Sequence, residues 1–393
     1  MKRILSRRLF REERPAAIIL LVSAILGLVL ANSGIGPWLI DLNHHELAIP
    51  ALGIDLSVGH WISDLLLAVF FFVVAAELKF ELTQGQLNSV RKALVPSIAA
   101  VGGVAMPALI FLLLSGGGDL ARGWPIPTAT DIAFALGVLA LFGRGLPARL
   151  RVFLLALAVL DDLIGILFIA TIFTDDVNFV ALLGGVVGVA VFGAVSRVVS
   201  RKPAVFAPVM LVIALVTWYL VLQSGVHPTI AGVGLGFAML GKHGMAVAHH
   251  LQPWTNGLVL PLFAFSAALV ALPEPGTSGP VILAIAIALP VGKTIGITIG
   301  GLIGARVARA HLKHPVLGWD LIAIAMVGGL GFTVALLMNQ LAFSADPEAL
   351  NQGVLGVLAG SGISLVLGAA LITWRASVHR RKDVSRPRSE SST

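Results

Sequence analysis

Apolar runs close to twenty residues long recur along this chain from residue 16 to residue 374, separated by short polar or glycine-rich loops. A helix of that length crosses the ~30 Å hydrocarbon core of a bilayer. Twelve such spans can be read, at about 16–31, 62–80, 93–114, 124–142, 152–173, 179–196, 204–222, 228–240, 256–271, 279–305, 319–342 and 353–374. The eighth is short and the tenth long, which implies tilt or interruption. Composition agrees, because only 12% of the residues are charged, against ~25% in a soluble domain. The 43 glycines let helices approach closely within a bilayer. With no cysteine in the chain, disulfides, thiolate metal sites and thiol nucleophiles are excluded. The expected fold is an all-α polytopic membrane protein with twelve transmembrane helices. Residues 1–393 form a single transmembrane domain, with a basic tail at 1–15 and a polar, disordered tail at 376–393.

The net charge of +7 is topological and does not indicate nucleic acid. Of the 27 Lys and Arg residues, 25 fall in the two tails and in loops on one side of the membrane, and Arg122 alone lies in the opposite loops. This is the positive-inside pattern, with both termini cytoplasmic. The basic N-terminus resembles a signal peptide but no A-x-A site follows, so an uncleaved first span is the expectation. In the long loop after span one, HELAIPALGIDLSVGH (His45 to His60) places two short apolar segments around a glycine. That pattern suits an exposed hairpin, and equally an irregular loop.

The remaining cation, Lys293, lies near the middle of span ten. Asp161 and Asp162 are near the middle of span five, in ALAVLDDLIGILFIA, and Asp131 is inside span four, in PTATDIAFALG. Each ionisable group costs about 2.5–3.5 kcal/mol at a helix centre. A structural ion pair would account for Lys293 and one acid, leaving two acids over. Surplus negative charge at mid-membrane has the character of a cation site, and hard oxygen ligands suit alkali and alkaline-earth ions. Adjacent helical residues point about 100° apart, so one aspartate can meet Lys293 while its neighbour faces a cation. A carboxylate removed from water is harder to ionise, so protons and metal ions compete for its oxygens and the acids titrate as a coupled set.

Two interruptions point to the same depth. Span four opens WPIPTATD, where Pro125 and Pro127 cannot donate backbone hydrogen bonds. Span eleven contains GGLGFT, residues 328–333. Broken segments in two halves of a chain mark the binding site of many transporters. They expose half-helix ends, whose positive dipoles Asp131 can neutralise and whose negative ones Lys293 can.

PTATDIAFALGVLALFG, LAVLDDLIGI, SGVHPTIAGV, LPLFAFSA, the Lys293 segment and GLGFT together resemble the NhaA-type sodium/proton antiporters of bacterial inner membranes, in order from about Arg14 to Trp374. The resemblance implies inverted repeats and broken fourth and eleventh helices that cross at the ion site. It implies that Asp161 and Asp162 bind Na+ or Li+ and protons, with Thr130 assisting. Asp131 would balance the helix ends, and Lys293 would pair with Asp161 when no sodium is bound. Asp64 matches a family acid nearer the outer side, while Glu77, Glu81 and His227 match residues linked to pH response. The implied partners are the lipid bilayer and a second copy bound through the 45–60 hairpin. No cofactor is implied, only the transported Na+ (or Li+) and H+.

One departure concerns GKHGMAVAHHLQPW (241–254), which carries Lys242, His243, His249 and His250 but no acid. The best-known family members have a charged cluster with a Glu there, so the activation pH does not carry over. An intramembrane aspartyl protease also needs two acids, but its GxGD motif is absent. A sodium-coupled symporter of the same architecture would need an organic-substrate pocket, for which no residues can be named.

Overall fold

A computed structural model describes residues 13–85, 88–172, 177–199, 203–239, 241–272, 279–308, 316 and 318–384. Most of the basic N-terminal tail and the last nine residues lie outside that set. The described residues are helical, and their only β pairing is two isolated antiparallel bridges. The first half contains α1 (Glu13–Ala31), α2 (Gly36–His44), α3 (Leu67–Thr83), α4 (Val90–Leu114), α5 (Ile132–Phe142), α6 (Ala148–Thr171) and α7 (Phe179–Val199). The rest follows as α8 (Pro203–Leu222), α9 (Thr229–Ala238), α10 (Gly241–Trp254), α11 (Leu260–Ala267), α12 (Pro280–Ile287), α13 (Lys293–Val307), α14 (Trp319–Gly328), α15 (Phe332–Ala342) and α16 (Pro347–Val384). Six helical stretches are long and apolar enough to cross a membrane, or eight if two bent pairs each count as one span. One of those pairs is α14 with α15, bent by 46°.

The described residues fall into two compact units. One comprises residues 1–89, 163–277 and 336–354; the other comprises 90–162, 278–335 and 355–393. In the first, α3 lies against α9 through Gly232 and Gly236, where an added Cβ would meet the carbonyls of Ala68 and Phe72. The Lys79 ammonium donates to the carbonyls of Phe237 and Met239 at 2.7 and 2.6 Å, neutralising the C-terminus of α9. The segment 45–60 is a small hairpin, with Glu46 bridged to Ser57 and Ile49 to Ile54 around Gly53 in the left-handed region. Its Leu47, Ile49 and Leu52 are exposed.

In the second unit a glycine seam joins α4 to α13. Gly102 and Gly296 face each other so closely that a Cβ on either would press on the other's carbonyl, and Gly300 abuts Ala99. Close approach brings the Lys293 stem within reach of Gly103. Gly296→Val should therefore overpack the seam and cost about 1–3 kcal/mol. A lowered thermal midpoint in detergent is the expected reading, with an unchanged midpoint as the contrary one.

Two stretches differ from expectation. Residues 241–254 form helix α10, not a loop, because Val247, Ala248 and Leu251 fall on one face, at i, i+1 and i+4. Ala248 is fully buried against the cluster that includes Phe72 and Ala76 of α3. The last helix runs to Val384, so residues 376–384 of the polar tail are helical. Ala376 is buried there, and Arg375 and His379 bond to α14.

Candidate functional site

The second unit places Thr130, Asp131, Asp161, Asp162 and Lys293 together, all buried. Pro125 and Pro127 hold the chain before α5 in a short 3-10 turn, Ile126–Thr128. Ala129 then turns to extended backbone, and α5 starts after Asp131. Facing it, α14 ends at Gly328 and α15 begins at Phe332. The segment leading into α5 and the bend between α14 and α15 bond to each other. The Asp131 N–H donates to the Leu330 carbonyl at 2.5 Å, and the Thr130 hydroxyl donates to the Gly328 carbonyl at 2.7 Å.

Asp131 serves two helix N-termini with one carboxylate. Its Oδ1 accepts from the Phe134 N–H of α5 at 2.9 Å. Its Oδ2 accepts from the Thr333 N–H at 3.2 Å and the Thr333 hydroxyl at 2.7 Å, in the first turn of α15. Each N-terminus carries about half a positive charge and unsatisfied N–H groups, so a single fixed anion offsets both. Sequence reasoning placed Asp131 at the helix ends but missed Thr333. Its position just after the GGLG break, where an N-terminal hydroxyl is useful, was the available signal.

Lys293 follows a wide π-helical turn, Ala288–Gly292, that absorbs Pro290. Its ammonium, fully buried, pairs with Asp161 Oδ2. The same oxygen receives the Thr130 hydroxyl at 2.5 Å. That hydroxyl has one proton and two acceptors, Asp161 and Gly328, so its orientation answers to the charge on Asp161. Asp161 Oδ1 is buried and takes no hydrogen bond among the described residues. Asp162, the next residue of α6, is also buried and interacts electrostatically with Lys293. Two carboxylates, a hydroxyl and the Gly328 carbonyl thus gather as hard oxygen donors near one ammonium. Among the described residues, no cluster of three His, Cys, Asp or Glu side chains suggests a resident metal.

A family model described as Na+/H+ antiporter 1 matches residues 7–372. The chain belongs to this family. Within it, "Na(+)/H(+) antiporter NhaA 2" of Clavibacter michiganensis subsp. michiganensis is 54% identical over 380 residues, covering 95% of this chain and 93% of the relative. "Na(+)/H(+) antiporter NhaA" of Tropheryma whipplei is 42% identical over 370 residues, covering 93% and 94%. The Escherichia coli protein of the same name is 40% identical over 375 residues, covering 92% and 96%. Similarity therefore runs the length of this antiporter chain and is not confined to the site.

The remaining family-matched residues lie in the first unit and form two groups. Asp64, in a π-helical turn before α3, accepts from Ser63 Oγ at 2.9 Å and lies 3.6 Å from His227 Nε2. His227 Nδ1 is 2.7 Å from the Thr229 hydroxyl. Glu77 and Glu81, half-buried, share a face of α3 at i and i+4, where like charges repel. Glu77 is 13 residues beyond Asp64, about 20 Å along the helix. His227 thus belongs with Asp64 and not with the two glutamates.

Proposed function

We propose that this protein is a sodium (lithium)/proton antiporter that exports Na+ in exchange for H+ by alternating access. The observation that carries this reading is the buried Asp161–Lys293 pair, with Asp162 and the Thr130 hydroxyl beside it where the start of α5 meets the bend between α14 and α15. An ammonium, a proton and an alkali ion are then rivals for the same carboxylate oxygens. Sodium arriving from the cytoplasm takes oxygens of Asp161 and Asp162, displaces Lys293, and expels protons from the coupled set. Reorientation exposes the site outward, where protons exchange back for sodium. A cycle that moves more proton charge than sodium charge draws on the membrane potential, worth ~2.3 kcal/mol per charge per 100 mV.

The supporting architecture is twelve spans, counting the shorter apolar helices and the interrupted pairs, with spans three to five and ten to twelve as inverted repeats. The protein then resides in the bacterial inner membrane with both termini cytoplasmic, serving pH and sodium homeostasis as a transporter and not an enzyme. A homodimer forms through the 45–60 hairpin, whose apolar tip residues are exposed. Glu77, Glu81 and His227 tune the response to pH from two separate places.

Thr130→Val keeps the shape of the side chain but removes its hydroxyl. It should raise the KM for sodium about tenfold, the equivalent of ~1.4 kcal/mol, with Thr130→Ser near wild type. The check is sodium-dependent proton movement in vesicles. Equal KM values for the Val and Ser variants would remove Thr130 from the site.

A further inference from the structure

Asp320 is buried in the first turn of α14, 7% exposed, and an arginine and a histidine from α16 hold it. Arg375 Nε donates to its Oδ1 at 2.7 Å. His379 Nε2 lies 3.1 Å from Oδ1 and 3.0 Å from Oδ2. An edge contact of Trp319 on Trp374, with centroids 5.4 Å apart, and the Arg375 guanidinium over the Trp374 ring pack the flank of this cluster. All of these residues belong to the second unit. No step of the exchange described above uses them.

The far end of α14 is the ion site. This ten-residue helix, about 15 Å long, ends at Gly328, whose carbonyl accepts from Thr130. Its Leu321, Ile324 and Val327 are fully buried, so it moves as a rod in close-packed surroundings. A grip at Asp320 therefore fixes where the Gly328 carbonyl stands.

We propose that Asp320 is a positioning residue for ion binding, gripped by Arg375 and His379 so that α14 holds the Gly328 carbonyl against Thr130. This rests on the antiport reading of the site. Arg375 supplies a permanent charge, and the His379 ring closes the other side of the carboxylate. Arg380, adjacent on α16, packs its stem over Gly145.

The test measures sodium-dependent proton movement by reconstituted full-length protein. Asp320→Asn should raise the KM for sodium about fivefold or more, with kcat changed less. Arg375→Gln should raise it about threefold, while Arg375→Lys, which keeps the charge, should stay nearer wild type. Arg375→Gln is the variant to rely on if Asp320→Asn fails to fold. A folded Asp320→Asn or Arg375→Gln protein with wild-type KM overturns the proposal, as does a loss confined to kcat. Wild-type protein that moves no protons on sodium addition would instead defeat the antiport reading.

Discussion

Asp162→Asn should abolish the rise in lumenal pH that a sodium pulse produces in energised everted vesicles, and Asp161→Asn should do the same. Asparagine keeps the volume of aspartate but removes the charge that a proton and a cation both require. A loss of at least about 100-fold is expected, the equivalent of ~3 kcal/mol of ion stabilisation. The two variants differ in what else they disturb. Asp162→Asn leaves the Lys293–Asp161 pair in place, so stability should fall less than in Asp161→Asn. Asp161→Asn strands a buried ammonium whose ion-pair partner is that carboxylate, so stability should fall along with exchange. A pH response that survives Asp162→Asn at near wild-type size would remove that residue from the ion's path.

The second large effect concerns Lys293 itself. Lys293→Met fills similar space without the charge and leaves Asp161 buried beside only the Thr130 hydroxyl. Breaking a buried pair by removing one partner costs about 3–5 kcal/mol. The sign of the pH dependence follows from the charge left behind. At low pH a proton neutralises Asp161 in place of the ammonium, so the penalty is small; it grows as pH rises and the carboxylate must ionise unpaired. Thermal midpoints in detergent should separate wild type from Lys293→Met progressively between acid and alkaline buffers. The double variant Asp161→Asn, Lys293→Met removes both charges and should recover most of the stability while remaining unable to exchange. A single variant as stable as wild type at every pH would mean that the pair contributes no net stability to the fold.

How legible each part was in the sequence follows from where it lies. Asp131, Asp161, Asp162 and Lys293 stand out because an ionisable group in an apolar run is costly and needs a reason. Their shared depth and Asp131's place at helix ends follow from few alternatives, whereas the choice of Asp161 over Asp162 as the partner of Lys293 is implied only by the family resemblance. Interruption of α14 and α15 was signalled by three glycines in GGLG, and the hairpin by a glycine between apolar segments. Asp320 carried no such signal. It sits at a span end next to a loop, where an acid is ordinary, and its partners Arg375 and His379 are 55 and 59 residues away in a stretch that reads as a polar tail. Helix α10 was missed because its GKHG start and its histidines look like a loop, while its apolar positions matter only against α3. His227 was grouped with Glu77 and Glu81 by family analogy, and only the fold separates them, because sequence distance says nothing about position along α3.

The whole account depends on sodium and protons being alternatives at one set of oxygens. Purified wild-type protein in weakly buffered detergent solution, free of any gradient, measures this directly. Added NaCl should release protons into the medium near neutral pH, choline chloride should not, and Asp162→Asn should release far fewer. If sodium evokes no proton release from wild-type protein across the range in which it stays folded, exchange by competition is contradicted.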